Sequence, residues 1–232
     1  MAVTCGPLDS GGGTASYAQI MRLILVRHGQ TSSNVELLLD TAAPGADLDN
    51  TGRQQALSLV SRLEHEVIEA LYASNLVRTQ QTVAPLAQAR ELPVRVLHGL
   101  REIPAGHAEM GNDASDYVTT MMKWGEGDLT ARIPGGENAI EFMQRYDEAI
   151  AEIAAGGHNT ALAVSHGAAL RVWAAARVPG FLDTIGTAHF DNTGWIIAEG
   201  SPTDGWQLVE AVGFMHYGND PTRLSIAADP IN

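Results

Sequence analysis

Cysteine is almost absent from this sequence: a single residue, Cys5, occurs among 232. One thiol cannot form an intramolecular disulfide, and it cannot build a zinc site made of several cysteines. The chain also lacks an apolar run long enough to cross a bilayer, and its first twenty residues show neither the basic segment nor the apolar core of a signal peptide. These absences predict a cytoplasmic protein that does not enter a membrane.

Basic residues are also scarce, with 14 Lys and Arg against 27 Asp and Glu and a formal net charge of −13. This balance opposes the counterion release that drives binding to nucleic acids, so DNA and RNA are not expected partners. A small anionic ligand remains compatible with it, because charges farther away than about 8 Å are largely screened at physiological salt. The expected partner is therefore a small molecule.

The length and composition, with 45% hydrophobic and 18% charged residues, are typical of a globular protein. Residues 1–20 contain three consecutive glycines and no apolar periodicity, which predicts a flexible leader. Residues 21–232 are predicted to form a single domain, with residues 103–134 as a cap insertion packed through Met121, Met122 and Trp124. The sequence leaves the oligomeric state open, and a homodimer is one expectation compatible with it.

From Arg22 onward, short apolar runs alternate with longer stretches of helical periodicity, as in α/β proteins whose strands are buried on both faces. We predict a three-layer α/β/α sandwich with a mostly parallel mixed sheet. The predicted strands are 23–26, 70–73, 94–97 and 161–164, with shorter ones near 187–190, 195–198 and 207–212. The predicted helices are one capped by Asp49 that buries Ala56, Val60, Leu63 and Val67, one capped by Ser74 over 76–89, one after Glu137 that buries Ile140, Met143, Tyr146, Ile150 and Ile153, and one over 168–178.

Polar residues follow the carboxyl ends of the predicted parallel strands. Arg27 and His28 follow the first strand, Arg78 lies in the first turn after the second, Glu102 lies a few residues beyond the third, and His166 follows the fourth. Ligands of open α/β sheets bind at this edge. Segments far apart in the chain therefore contribute to one predicted crevice.

The side chains gathered there suit a phosphoryl group better than a metal ion. Arginine presents a planar fork of donors that matches phosphate oxygens, and helices beginning after Ser74 and Gly167 would add backbone N–H groups. Cationic guanidinium groups oppose a divalent cation, and no thiols or paired carboxylates accompany the two imidazoles. We predict an anion site without a metal.

The residues Arg27-His28-Gly29-Gln30-Thr31 with Asn34 resemble the signature of the histidine phosphatase superfamily, the Arg-His-Gly branch that includes the cofactor-dependent phosphoglycerate mutases. Later blocks are similar as well, and the resemblance covers about residues 21–212. These blocks are Leu48 with Gly52, Gln54 and Ala56; Ser74 to Thr79 with Gln81 and Thr82; Pro134 to Glu137; and Val164 to Gly167.

The resemblance implies a phosphoglycerate mutase-like fold and a two-step transfer that needs no cofactor. His28 would be the nucleophile that carries the phosphoryl group. Arg27, Arg78 and His166 would hold the phosphoryl oxygens with help from Asn34. Glu102 would protonate the leaving oxygen and then activate water.

Several assignments stay open. The family's usual Gly-x-x-Glu-Gly continuation is altered at residues 106–111, so Glu109 competes with Glu102 for the role of the acid, while His107 and Glu137 are candidates for the substrate side. We favour a phosphomonoesterase over a phosphoglycerate mutase, because residues 103–134 offer only Lys123 and Arg132 as cations for a substrate carboxylate. A module that binds a phosphate ligand without catalysis is the second alternative.

Overall fold

The computed structural model describes residues 20–215, so the predicted leader lies outside the described residues except for Ile20. Short 3-10 turns lie at His98–Leu100 and Gly106–Ala108. The strands within this range are β1 (Met21–Arg27), β2 (Ala70–Ala73), β3 (Val94–Val96), β4 (Thr160–Ser165), β5 (His189–Ser201) and β6 (Gly205–Met215). The helices are α1 (Ser32–Val35), α2 (Asn50–Arg62), α3 (Val77–Arg90), α4 (Ser115–Gly125), α5 (Ala139–Ala155), α6 (Gly167–Arg177) and α7 (Phe181–Ile185).

The strands form one sheet in the order β3-β2-β4-β1-β5-β6. The first four in this order are parallel to one another, whereas β5 runs antiparallel to β1 and β6 runs antiparallel to β5. This arrangement confirms the predicted mostly parallel mixed sheet. In the register of β1 against β4, Arg27 lies opposite Ser165. The residues that follow these two strands are therefore neighbours at one edge of the sheet.

Helices cover both faces of the sheet because successive residues of a buried strand point to opposite sides. In β1, Leu23 and Leu25 belong to one buried apolar cluster, whereas Ile24 and Val26 belong to another. The first cluster includes side chains of α4 to α7, and the second includes side chains of α2 and α3. The predicted three-layer α/β/α sandwich is confirmed.

Some buried faces differ from the prediction. Helix α2 ends at Arg62, so Val67 lies beyond it and is 75% exposed, and Leu59 is buried in its stead. In α5, Ile140 is exposed while Phe142 is fully buried. The spacing of apolar residues identifies a helix. Where the helix ends and which of its residues are buried depend on the elements that pack against it.

The predicted cap of α3 is wrong. The N-cap residue is Leu76, without a side-chain cap bond. The buried Ser74 hydroxyl lies 3.2 Å from the Leu76 amide and 2.7 Å from His166 Nε2, so it connects β2 to the residue after β4. The predicted short strands near 187–190 and 195–198 are one strand, β5, whose pairing with β6 shifts between Phe190 and Trp195.

The segment over residues 103–134 contains α4, whose buried side chains include Tyr117, Met121 and Trp124. Met122 is 53% exposed and does not join this packing. That the segment is an insertion in a single domain stays a prediction. No helix in residues 20–215 is both long enough and apolar enough to cross a membrane.

Candidate active site

The ends of β1 and β4 bring two histidines together, as predicted. The amide of His28 donates to the Ser165 carbonyl oxygen at 3.1 Å, and the ring centroids of His28 and His166 are 5.3 Å apart. Gly29 allows the backbone of Gly52 to approach closely here, since a Cβ atom at this position would lie 2.7 Å from the carbonyl oxygen of Gly52. Both imidazoles are buried.

The hydrogen bonds of His28 define its tautomer. Nδ1 lies 2.7 Å from the Gly29 carbonyl oxygen, which is an acceptor only, so Nδ1 carries the proton. Nε2 then holds a lone pair, and it accepts a bond of 3.1 Å from Arg78 Nε. Burial lowers the pKa of His28 well below its ordinary value, and the charges of Arg78 and Arg27 lower it further. The ring is therefore neutral with Nε2 free to act as a nucleophile once Arg78 shifts its bond.

His166 lies at the N-cap of α6 and is fully buried. Its Nε2 pairs with Ser74 Oγ at 2.7 Å, while its Nδ1 is buried without a hydrogen-bond partner among the described residues. Burial lowers the pKa of His166, and the charge of Arg78 adds to the effect. A buried polar atom left without a partner is costly, so this nitrogen has an unused capacity for a hydrogen bond.

Two buried arginines lie beside the histidines. Arg27 Nη1 donates to the carbonyl oxygen of Phe190. Arg78, in the first turn of α3, donates through Nη2 to the carbonyl oxygen of Asp40 at 2.7 Å, and its Nη1 lies 3.7 Å from Asp40 Oδ1. Burial lowers the pKa of Arg78, whereas the Asp40 carboxylate acts in the opposite direction. The charge of Asp40 thus compensates that of Arg78.

Asn34 belongs to the same pocket but is largely committed to local structure. Its Oδ1 accepts from the Thr31 amide at 3.1 Å in the capping box of α1, and it also accepts from Asn192 Nδ2 at 3.3 Å. Asn192 donates to the carbonyl oxygen of His28 as well, at 2.9 Å. These bonds tie the loop after β1 to β5.

Glu102 is buried against the first turn of α6. Its Oε1 accepts from the amides of Ile103 at 2.9 Å and Ala169 at 2.8 Å, and its Oε2 accepts from the amide of Ala168 at 3.3 Å. Burial raises the pKa of Glu102, although these amides and the charge of Arg78 act in the opposite direction. A carboxyl group with a raised pKa is suited to donate a proton near neutral pH.

Five of these residues, Arg27, His28, Asn34, Arg78 and Glu102, line a small pocket with a volume of about 40 Å³. A single water molecule needs roughly 10–15 Å³ of such accessible volume. The pocket therefore has room for a group of a few heavy atoms, such as a phosphoryl group. Its lining residues are Arg27, His28, Asn34, Leu38, Leu39, Asp40, Thr41, Arg78, Glu102, Tyr117, Gly167 and Ala168. Within residues 20–215, no three His, Cys, Asp or Glu side chains are grouped so that they could hold a metal ion.

Four predicted candidates do not line this pocket. His166 is fully buried beside the His28 ring and is not among the lining residues. Glu109 Oε1 accepts from the amides of Thr41 and Ala42, each at 2.9 Å, so its carboxylate anchors the adjoining loop. Glu137 pairs with Arg145, at 2.5 Å between Oε1 and Nη2, and borders a different, more open cavity. His107 is exposed.

The structure also identifies residues that the sequence reasoning missed. Asp40 and Tyr117 line the pocket. Ser74 contacts Nε2 of His166 through its hydroxyl, whereas the sequence pattern around Ser74 suggests only a helix cap. Arg145 donates to the carbonyl oxygens of Gly99, Arg101 and Glu102 at 2.7, 2.9 and 3.1 Å and so supports the loop that carries Glu102. No sequence signal identifies Asp40 or Arg145, because each acts through contacts with distant segments.

Comparisons with known proteins agree with this geometry. Residues 23–212 match the model of the histidine phosphatase superfamily, branch 1. The chain is 34% identical over 204 residues to the PE-PGRS family protein PE_PGRS11 of Mycobacterium tuberculosis, covering 79% of this chain but only 35% of that protein. It is 32% identical over 154 residues to adenosylcobalamin/alpha-ribazole phosphatase of Escherichia coli, covering 63% of this chain and 73% of that one. The solved structure of mycobacterial hydrolase 1 superposes with a TM-score of 0.70 at 25% identity, covering 84% of this chain and all of the other.

Proposed function

Because the chain belongs to the histidine phosphatase superfamily, we propose that it is a phosphomonoesterase that hydrolyses a small phosphate ester through a phosphohistidine on His28. The observation that carries the proposal is the neutral His28 ring, whose protonated Nδ1 is bound to the Gly29 carbonyl and whose Nε2 lone pair meets the buried Arg78. A nucleophile surrounded by guanidinium donors fits attack on a phosphoryl group.

In the first step, Nε2 of His28 attacks phosphorus while the bond from phosphorus to the ester oxygen breaks. Glu102 in its acid form, which burial favours by raising its pKa, gives its proton to the departing oxygen, and an alcohol leaves. The Arg78 N–H that now points at Nε2 moves to a phosphoryl oxygen, which frees the lone pair for attack. The products of this step are the alcohol, a phosphohistidine and the Glu102 carboxylate.

In the second step, water attacks the phosphohistidine and the bond between phosphorus and Nε2 of His28 breaks. The Glu102 carboxylate takes the proton from the attacking water and returns to its acid form. The balance over both steps is one ester and one water converted to one alcohol and inorganic phosphate. Two displacements by well-placed groups replace one difficult attack by water.

The charge that spreads over the phosphoryl oxygens in each transition state requires fixed donors. Arg27 and Arg78 are buried beside His28 and line the pocket. We assign His166 a share in holding the phosphoryl oxygens, since its ring centroid lies 5.3 Å from that of His28 and its Nδ1 has no partner among the described residues. We assign Asn34 a supporting role, since it lines the pocket while its Oδ1 already accepts local bonds. Tyr117, which also lines the pocket, supports the proposal that residues 103–134 form an insertion over the site.

The test is phosphate release from a panel of phosphomonoesters in EDTA, together with trapping of an acid-labile phosphoryl label on the protein. We expect release of phosphate and a label that is absent in His28→Ala. Interconversion of 2- and 3-phosphoglycerate after priming with bisphosphoglycerate, with no phosphate released from the panel, would instead identify a mutase. Binding of phosphate esters with neither label nor turnover would identify a binding module.

A matched variant separates the acid from its competitor. Glu102→Gln removes the proton donor, which costs about 10²–10⁴-fold in rate with an alkyl phosphate. The loss should be much smaller with 4-nitrophenyl phosphate, whose leaving group needs no proton. Glu109→Gln should leave this dependence on the leaving group unchanged, because its carboxylate is bound to the loop amides of Thr41 and Ala42.

A further inference from the structure

The charges that line the pocket are unevenly distributed. Arg27 and Arg78 are the cations among the described residues that line it, and both are next to the place assigned to the phosphoryl group. The acidic residues that line it are Asp40 and Glu102. The remaining wall includes the apolar side chains of Leu38 and Leu39. A second anionic group on a substrate would thus find no cation of its own in the pocket.

The Asp40 carboxyl group lies at this wall among hydrogen-bond donors. Its Oδ2 accepts from Ser33 Oγ at 2.9 Å and from the Ala46 amide at 2.8 Å. Its Oδ1 lies 3.7 Å from Arg78 Nη1, on the same guanidinium group whose Nε donates to Nε2 of His28. The carboxylate is therefore separated from the attacking nitrogen by the width of one guanidinium group, and its side chain is only 7% exposed.

Other cations of this region are engaged elsewhere. Arg145 pairs with Glu137 and donates to loop carbonyl oxygens, and Arg101 lies 3.5 Å from the same carboxylate. Arg132 pairs with Glu141 at 2.6 Å on the surface. None of these three guanidinium groups borders the pocket that contains His28.

We propose that Asp40 is a specificity-determining residue that restricts the site to phosphate monoesters whose leaving group carries no negative charge near the ester oxygen. This inference rests on the proposed function and deepens it. One phosphoryl group satisfies the two arginines, and repulsion by the buried Asp40 carboxylate disfavours a carboxylate or second phosphate on the adjoining carbons. Like-charge repulsion of this kind is a common source of specificity, because specificity requires only that the disfavoured ligand bind with lower affinity than the favoured one.

Two probes of nearly the same shape test this charge effect. Glycerol 3-phosphate has a neutral hydroxymethyl group where 3-phosphoglycerate has a carboxylate. We expect kcat/KM to be higher for glycerol 3-phosphate. Asp40→Asn and Asp40→Ala should raise the ratio of kcat/KM for 3-phosphoglycerate to that for glycerol 3-phosphate about tenfold, which is about 1.4 kcal/mol. Because the ratio compares two substrates of one variant, a loss of activity common to both cancels.

The matched control is Asp47→Asn, which removes the same charge from the same loop at an exposed position bound to Gln81. It should leave the ratio unchanged. A protein that prefers 3-phosphoglycerate, or Asp40 variants whose ratio equals that of Asp47→Asn, would overturn the role of Asp40 while leaving the esterase proposal intact.

A binding measurement keeps the two proposals separable. Calorimetric titration with the same two probes gives a ratio of affinities that Asp40→Asn should shift in the same direction as the rates. If no ester is hydrolysed, the esterase proposal fails, and this ratio still decides whether Asp40 selects against the carboxylate. If the protein binds neither probe, the role of Asp40 is refuted, and phosphate release from the panel alone decides the esterase proposal.

Discussion

Replacing Arg145 by glutamine tests how the loop that carries Glu102 is held in place. The guanidinium group donates to the carbonyl oxygens of Gly99, Arg101 and Glu102, and it contacts both carboxylate oxygens of Glu137 at 2.5 and 2.9 Å. The side chains of the pair are 12% and 9% exposed. The substitution leaves a nearly buried carboxylate with only the 3.5 Å contact to Arg101 among the cations described.

Removing one partner of a buried ion pair costs about 3–5 kcal/mol of folding free energy. Arg145 retains some exposure, and Arg101 compensates part of the Glu137 charge, so we expect the low end, about 3 kcal/mol. Urea unfolding of the variant and the parent protein measures this difference. Arg132→Gln is the matched control, because it breaks a similar pair with Glu141 whose side chains are 48% and 49% exposed, and it should change stability far less.

The same variant should also affect the chemistry through Glu102. Arg145 touches no reacting atom, so it acts as a positioning residue for the loop over residues 99–102. We expect Arg145→Gln to lower kcat with alkyl phosphates more than with 4-nitrophenyl phosphate, whereas a general loss of folded protein would lower both equally. Stability that falls by less than about 1 kcal/mol, or equal losses with both substrates, would refute this account of Arg145.

Three further predictions concern the pocket. With alkyl phosphates, the rate should fall as the pH rises, because Glu102 loses the proton that it donates to the leaving group. Profiles of kcat against pH measure this decline, and Glu102→Gln should lack it. Glu109→Gln should keep the decline, and its loss there would reassign the acid. Gly45→Ala should weaken inhibition by inorganic phosphate severalfold, because the added Cβ atom would lie 2.5 Å from Arg78 Nη1 and displace this group. The control is Gly157→Ala. Gly157 has a similar φ of +72° but open space around it, so this substitution should leave inhibition unchanged.

Stability should also depend on pH through the buried histidines. Burial lowers the pKa of both His28 and His166, so each stays neutral in the folded protein where it would be protonated in the unfolded chain. The unfolded state then binds more protons below pH 6.5, so this contribution is complete above that pH and is lost as the pH falls. Urea melts between pH 7.5 and 5.5 should show a decline of up to about 1.4 kcal/mol per histidine at the lower pH. Constant stability over this range would contradict neutral burial of the two rings.

Much of the fold could be predicted because its main signals are local. The apolar runs of β1, β2 and β4 mark strands buried on both faces. The predicted bounds of β2 match the observed ones, whereas β1 and β4 extend beyond the predicted 23–26 and 161–164 at both ends. The end of α2 and the cap of α3 could not be predicted in this way. Val67 keeps the helical spacing beyond the last turn, and Ser74 is a good cap residue by type, but its hydroxyl contacts His166.

The candidate site shows the same division. Its histidines, arginines and Glu102 follow the carboxyl ends of strands, which parallel strands bring to one edge, so their neighbourhood was predictable. Glu109 and Glu102 are both carboxylates in the same stretch of sequence, and only their contacts distinguish them: amides of a loop for Glu109, the pocket and α6 for Glu102.

The sequence by itself determined the family and the layered α/β class, and it suggested the chemistry that we propose, because these depend on residue types at fixed spacings along the chain. Only the tertiary structure decided which groups line the pocket, that Nε2 of His28 is the nitrogen with the lone pair, and that the Asp40 carboxylate lies beside Arg78. The physical reason is that protonation, charge compensation and access depend on burial and on partners far away in the chain, and these exist only once the segments have packed together.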